Sequence, residues 1–256
     1  MNMLRSILFL LFLLSYTPPY AIACLIAFPF LSTDGRYRMV QGWTGAVIWV
    51  ARALCGIRYR FIGMENAEAM REKPVIVLSK HQSAWETIAF VSYMPKPLCY
   101  VFKRELLYVP FFGWALGLLR MVHINRADGK NAYASVVRQG KERLSEGAWI
   151  IFFPEGTRTR TGTKGKYKTG GSRLAVDTDV WVLPVAHNAG RCWPRNRLRK
   201  TPGLITVSIG PAISSTGRTP DSLMDEVETW IEREMRTIDP DAYSATNTDK
   251  TTASIQ

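Results

Sequence analysis

From Ser6 to Leu31 the chain carries no charged residue, and Leu, Ile, Phe and Ala dominate, interrupted at Thr17-Pro18-Pro19. A helix of that length extends about 39 Å, enough to cross roughly 30 Å of hydrocarbon. Each half alone is too short. The pattern therefore predicts either one kinked span or a shallow hairpin turning at the prolines. A second segment, residues 40–54, places Trp43, Val47, Val50, Ala51 and Leu54 at helical spacing and suits the membrane interface. A cleaved signal peptide, cut after Ala21-Ile22-Ala23, is the competing reading; residues 25–31 stay apolar past that cut and argue against it.

Beyond Arg58 the pattern changes to alternation. Short β-branched or aromatic runs at 58–62, 75–78, 98–102, 122–124, 149–153, 180–185 and 205–209 predict strands. Helical patterns fall between them at 85–93, 110–120, 130–144 and 171–177. Leu223, Val227, Trp230, Ile231 and Met235 then mark an amphipathic helix. Such alternation predicts an α/β domain whose central sheet is largely parallel and flanked by helices. The expected organisation is a membrane-anchoring segment at 1–56, a domain at 57–241 and a disordered polar tail at 242–256. The order of strands is not readable from the pattern.

Composition adds a charge of +12, unevenly spread. Between Gly156 and Arg173 lie Arg158, Arg160, Lys164, Lys166 and Lys168 with no acid, and Arg191, Arg195, Arg197, Arg199 and Lys200 follow. Acids gather near Asp225 to Glu234. Basic surfaces of this kind suit anionic lipid, phosphorylated ligands or nucleic acid. No nucleic-acid-binding module accompanies them, so nucleic acid is not an expected partner. Cys24, Cys55, Cys99 and Cys192 are far apart without CxxC spacing, which predicts reduced thiols in a cytosol-facing protein. Arg36 and Arg38, on the distal flank of the apolar segment, point the same way.

In a parallel sheet, reactive residues tend to sit on loops at the carboxyl ends of strands. Three polar motifs occupy that position: His81 after 75–78, Glu155-Gly156-Thr157-Arg158 after 149–153, and His187-Asn188 after 180–185. His81 is followed by Glu86. A histidine with a carboxylate on one ring nitrogen makes a general base near neutral pH. The same stretch also reads as a capping box, in which Glu86 reaches back to the Ser83 amide and His81 is a loop residue. Ser172 lies in GGSRL, not a GxSxG elbow, and no cysteine neighbours a histidine. A protein nucleophile is thus unsupported, leaving direct attack by a substrate hydroxyl. FPEGTR, residues 153–158, brings a glycine, a hydroxyl and an arginine together at a strand end, a combination suited to phosphate. The histidines, His81, His123 and His187, lack metal-ligand spacing, and no metal or organic cofactor is expected.

Taken in order, these blocks resemble the glycerolipid acyltransferases that acylate lysophosphatidic acid. In that family a histidine and an acid separated by four residues open the first motif. A Lys/Arg block with aromatics, FPEGTR, and an apolar strand ending in proline follow. Here they are His81 to Glu86, residues 102–105 with Ile124-Asn125-Arg126, residues 153–158, and Val182-Leu183-Pro184-Val185. The likeness spans roughly residues 74–190. One departure is Glu86, where the commonest family pattern has aspartate.

The resemblance implies a glycerolipid-acyltransferase-like domain and transfer of a fatty acyl group to the sn-2 hydroxyl of lysophosphatidic acid, giving phosphatidic acid for phospholipid biosynthesis. Acyl-CoA or acyl carrier protein would be the co-substrate. His81 and Glu86 would be catalytic. Glu155, Gly156, Thr157 and Arg158 would bind the glycerol phosphate. Lys103 or Arg104 would add charge near the phosphate or the oxyanion, with Asn125 and Arg126 as further binding residues. The expected location is an inner or plasma membrane, with the domain facing the cytoplasm. A different lysolipid acceptor, such as a lyso-aminolipid, and a non-catalytic anionic-lipid-binding protein are the alternatives.

Overall fold

A computed structural model describes residues 1–109, 112–128 and 130–243. Helices α1 (Asn2–Ala27) and α2 (Thr33–Cys55) precede β1 (Ile57–Ile62), α3 (Met64–Ala69), β2 (Val75–Ser79) and α4 (Trp85–Tyr93). Next come β3 (Leu98–Lys103), α5 (Phe112–Leu118), β4 (Val122–Ile124), α6 (Lys130–Ser145) and β5 (Trp149–Phe152). The chain closes with α7 (Gly170–Thr178), β6 (Trp181–His187), β7 (Gly203–Ile209), β8 (Ile213–Ser214) and α8 (Pro220–Ile238). The elements expected from the sequence lie within a few residues of these. Of the expected helix at 110–120, residues 110 and 111 lie outside the described ones, as do residues 244–256 of the expected tail. Ala242 sits in a last helical turn, Pro240–Ala242, and is buried.

The strands form one sheet in the order β1-β7-β6-β2-β5-β3-β4, with β8 beside β6. β2 through β6 run parallel, while β7 is antiparallel to β6 and carries β1 parallel to itself. The carboxyl ends of β6, β2, β5, β3 and β4 therefore share one edge. Every residue of β2 is buried, as expected of a strand covered on both faces. Its pleat divides the core. Val75 and Val77 face Val47, Ile48, Ala51, Trp85 and Phe90, from α2 and α4. Ile76 and Leu78 face Val136, Leu174, Val227 and Ile231, from α6, α7 and α8.

The N-terminal helices are part of this packing. α1 stays helical through Pro18 and Pro19, so the chain does not turn at the prolines. It turns instead at residues 28–32, and α2 runs back along α1. Tyr20 Oη donates to the Met39 carbonyl at 2.7 Å, and Trp43 Nε1 to Thr17 Oγ1 at 3.2 Å. These contacts flank the prolines and bind this stretch of α1 to α2. Arg36 donates to the Phe28, Leu31 and Leu118 carbonyls, fastening the turn to the end of α5. Ser32 caps the start of α2, and Gly56, at φ +68°, ends it in the left-handed region that a side chain would resist.

At its other end α1 reaches the domain directly. Ser6 Oγ accepts from the Lys200 amide at 2.8 Å, and the Phe9 ring meets Trp193 edge-on at 5.2 Å. The outward stripe, Leu4, Leu8, Leu11, Leu14, Ile22 and Ile26, is exposed. Phe9, at 1% exposure, is a core residue of the whole domain. We therefore expect Phe9→Ala to lower stability by about 3 kcal/mol, read as a fall in Tm of the detergent-solubilised protein. An α1 immersed in lipid without packing on the domain would leave Tm unchanged.

Candidate active site

β2 ends at Ser79, and the turn 80–83 delivers the chain into α4. Within that turn His81 Nδ1 lies 2.8 Å from Glu86 Oε1. The same oxygen accepts the amides of Ser83 at 2.8 Å and Gln82 at 3.1 Å. The Glu86–Ser83 hydrogen bond of the capping reading and the His81–Glu86 contact of the pair reading thus share one atom. Ser83 Oγ accepts from the Trp85 amide and donates to the Trp193 carbonyl at 2.6 Å, closing the turn.

Electrostatics follow from this geometry. Burial alone would raise the fully enclosed Glu86 carboxyl, but the imidazoles of His187 and His81 and the Ser83 amide outweigh it and hold it below its ordinary value. Glu86 is an anion. The His81 Nδ1–H therefore donates to it, and Nε2 is left as the ring's proton acceptor. Phe153 stacks on the imidazole with centroids 4.0 Å apart, leaving the His81 side chain 13% exposed.

His187, which the sequence places at the end of a neighbouring strand, is buried behind the pair. Its Nε2 lies 2.8 Å from the Lys80 carbonyl and 3.9 Å from Glu86 Oε1, and its Nδ1 accepts from the Ala189 amide. A carbonyl only accepts, so Nε2 carries the hydrogen. Burial pushes this imidazole below its ordinary value, against the smaller upward pulls of Glu86 and the Lys80 carbonyl. His187 is neutral.

On the neighbouring strand, β5 releases Phe153 and the FPEGTR loop. Gly156 takes φ +67°, and a Cβ there would stand 3.0 Å from Lys168 Nζ. Gly156 and Thr157 are exposed at the edge. The Arg158 carbonyl accepts from Arg195 Nη1 at 2.7 Å, whereas Arg158 Nε is buried with no hydrogen-bond partner among the described residues. That guanidinium has a donor to spare. Glu155 faces the other way: Oε1 accepts from Lys80 Nζ and the Gly165 amide, and Oε2 from the His81 amide. Its carboxylate is fully used inside the protein, not turned to the edge with its loop neighbours.

The remaining candidates lie farther along the same edge. Lys103 and Arg104 are exposed at the end of β3, two strands from β2, or about 10 Å away. His123, on β4, has its imidazole pushed down by burial and then by the Arg104 charge. Asn125 is spent on its own turn, with Nδ2 donating to Asp128 Oδ1 and Oδ1 accepting the Ala127 amide. Arg126 opens a short helical turn after β4, and its side chain lies outside the described residues. Sequence reasoning overlooked Lys80, which stands beside His81 and is wholly buried. Its only signal was a lysine between a buried strand and a reactive turn.

A family model for acyltransferases matches residues 58–188, which contain His81, Glu86 and Arg158. The chain is 44% identical over 241 residues to the 1-acyl-sn-glycerol-3-phosphate acyltransferase of Pseudomonas aeruginosa, covering 93% of this chain and 92% of that one. It is 27% identical over 201 residues to 1-acyl-sn-glycerol-3-phosphate acyltransferase alpha of Mus musculus, covering 78% of this chain and 70% of that protein. The fold matches the crystal structure of the 1-acyl-sn-glycerophosphate (LPA) acyltransferase PlsC from Thermotoga maritima with a TM-score of 0.75. That match covers 92% of this chain and 95% of that one at 21% identity. The chain belongs to the acyltransferase family, as its motifs suggested.

Proposed function

We propose that this acyltransferase moves a fatty acyl group from an acyl thioester, acyl-CoA or acyl carrier protein, to the 2-hydroxyl of 1-acyl-sn-glycerol 3-phosphate. The hydrogen bond from His81 to the buried Glu86 carboxylate carries the reading. His81 Nε2 takes the hydroxyl proton as the oxygen attacks the thioester carbonyl. The tetrahedral oxyanion then collapses, the carbon–sulfur bond breaks, and the imidazolium returns its proton to the departing thiolate. Glu86 stabilises the imidazolium and fixes its tautomer. Arg158 takes the phosphate through its spare guanidinium donors, beside Gly156 and Thr157. Lys103 or Arg104 supplies further positive charge along the edge. Names of relatives support the acceptor, and the thioester carrier is our extension of it.

The anchor is residues 1–56. α1 touches the domain near its start, where Ser6 meets Lys200, and also packs on α5, so we place it lengthwise at the membrane surface, with its exposed stripe immersed and the domain on the cytoplasmic side. Among the described residues the segment Asn2–Phe30 is the one helix long and apolar enough to cross a membrane, and only 11% of its most apolar window is buried.

Purified protein in detergent should form phosphatidic acid from lysophosphatidic acid. Replacing the base with alanine at His81 should lower kcat by roughly 10²–10⁴-fold, and Glu86→Gln should lose much of the rest of the pair's effect. Turnover on a different lysolipid alone would keep the chemistry and discard the acceptor. Full activity in a folded His81→Ala protein would discard the mechanism.

Arg158→Ala should raise the acceptor KM about tenfold or more, since a hydrogen bond to a charged group is worth about 1.5–3 kcal/mol, with a smaller change in donor KM. An unchanged acceptor KM contradicts the phosphate assignment.

A pH dependence of stability follows from the buried pair. Glu86 and His187 both bind protons less readily when folded, so the unfolded chain takes up more on acidification and stability falls with pH. The His187 share is complete above about pH 6.5, the usual imidazole value, and is lost as pH drops through the lowered folded value. The Glu86 share is lost only further down, below the ordinary carboxyl value of 4.5. As pH drops from about 7 to about 5.5, across the imidazole range, Tm should fall, and His187→Gln should flatten that fall. An equal slope in the variant removes His187 as its source.

A further inference from the structure

The Lys80 ammonium is enclosed one residue before His81. Its Nζ donates to Glu155 Oε1 and Glu232 Oε1, each at 2.8 Å, and to the Thr163 carbonyl at 3.2 Å. Three donors meet three acceptors. Glu155 belongs to the FPEGTR loop and Thr163 to the basic segment after it. Glu232 comes from α8, beyond the residues that the family model matches. Tyr167 Oη also donates to Glu232 Oε1, at 2.9 Å. Burial, followed by the charges of Glu232 and Glu155, pushes the Tyr167 phenol well up, so it remains a donor.

From Lys80 the path leads to the histidine by two short routes. Glu155, fixed by Lys80 through one oxygen, accepts the His81 amide at 2.9 Å with the other. Thr159, in the same loop, donates both its amide and its hydroxyl to the His81 carbonyl, at 2.8 and 3.1 Å. The main chain of His81 is thus held at its amide by Glu155, which Lys80 fixes, and at its carbonyl by Thr159, four residues along the loop from the Thr163 carbonyl that Lys80 also engages. A buried ion cluster is weak grounds for stability alone, since apolar residues of similar volume often serve as well. Its attachment to the amide of the base points to orientation.

We propose that Glu232, acting through Lys80, is a positioning residue for His81 that keeps the histidine turn in register with the FPEGTR loop. The inference rests on His81 as the base, but its test includes a readout that needs no turnover. The chain has three histidines, so ring-¹⁵N-histidine labelling gives few signals, and His81→Ala identifies that of His81.

Glu232→Ala should displace or broaden the His81 ring signals and lower kcat at least tenfold on whichever lysolipid the wild type uses. Glu232→Gln should restore most of both, because its amide oxygen still accepts from Lys80 and Tyr167. Val227→Ala, a cavity in the apolar face of α8 away from the cluster, should lower Tm without moving either. Wild-type His81 signals and kcat in folded Glu232→Ala, or equal effects from Val227→Ala, overturn the proposal. If Glu232→Ala does not fold, Tyr167→Phe reads the same path: displaced His81 signals support it and unmoved ones overturn it. Displaced signals in a protein whose wild type ignores lysophosphatidic acid would uphold the positioning and discard the acceptor.

Discussion

One carboxylate oxygen, Glu86 Oε1, accepts from the ring of His81 and from the amides of Gln82 and Ser83. The turn, the first turn of α4 and the histidine tautomer all depend on it. Three donors on a desolvated carboxylate favour its charged form, and a charged form is what a neighbouring imidazole needs when it receives a proton. The acid is a glutamate where the family more often has aspartate. The longer side chain brings Oε1 within 3.1 Å of all three donors, so the extra methylene does not break the pair. It also leaves Oε2 buried without a partner among the described residues, in keeping with a carboxylate whose hydrogen bonds converge on one atom.

Behind that turn lies a second desolvation constraint. Lys80, Glu155 and Glu232 are all buried, and removing Lys80 leaves two carboxylates without their shared cation in a poor solvent for ions. The three groups come from the ends of β2 and β5 and from α8, so the constraint ties together parts of the chain far apart in sequence. Fixed dipoles and charges that are already in place need not reorganise during the reaction. The same cluster explains why the glutamate of FPEGTR faces inward while Gly156 and Thr157, the next two residues, stay exposed at the edge.

Features fixed by local periodicity were legible in the sequence. The strands of the sheet, α4 and the amphipathic face of α8 follow from hydrophobic spacing, and His81 with Glu86 follows from a turn between a buried strand and a helix start. Features fixed by distant partners were not. The reversed direction of β1 and β7 depends on which strands pair, and a run such as 205–209 looks the same in either direction. Glu155 and Asn125 were expected to face the ligand because the resemblance carries over their motifs as binding blocks. The partners that occupy them, Lys80 and the Ala127–Asp128 turn, become visible only once the chain is folded. Lys80 itself was passed over since a lysine beside a strand end is ordinarily solvated. The α1 prolines left a kinked span and a hairpin both open for a related reason: proline disfavours a helix locally, and packing against α2 decides for the continuous helix.

The lipid-facing helices and the chemical edge are mechanically joined. α4, which carries Glu86, rests on α2 through the Thr44–Ser92 hydroxyl pair at 2.6 Å and through Tyr37 and Gln41, both donating to the Val91 carbonyl. The histidine turn is tied to Trp193 through Ser83 Oγ, and Trp193 packs on Phe9 of α1. A lysolipid whose chain stays in the bilayer presents its glycerol phosphate at a height set by the membrane. A base and a phosphate-binding arginine can meet that headgroup repeatedly only if they too are held at a set height. Under the proposed function, packing α1 and α2 into the core, instead of tethering them by a linker, would give the edge that fixed height. For a lipid substrate, orientation to the bilayer is part of orientation to the base, and the hydrophobic core supplies both.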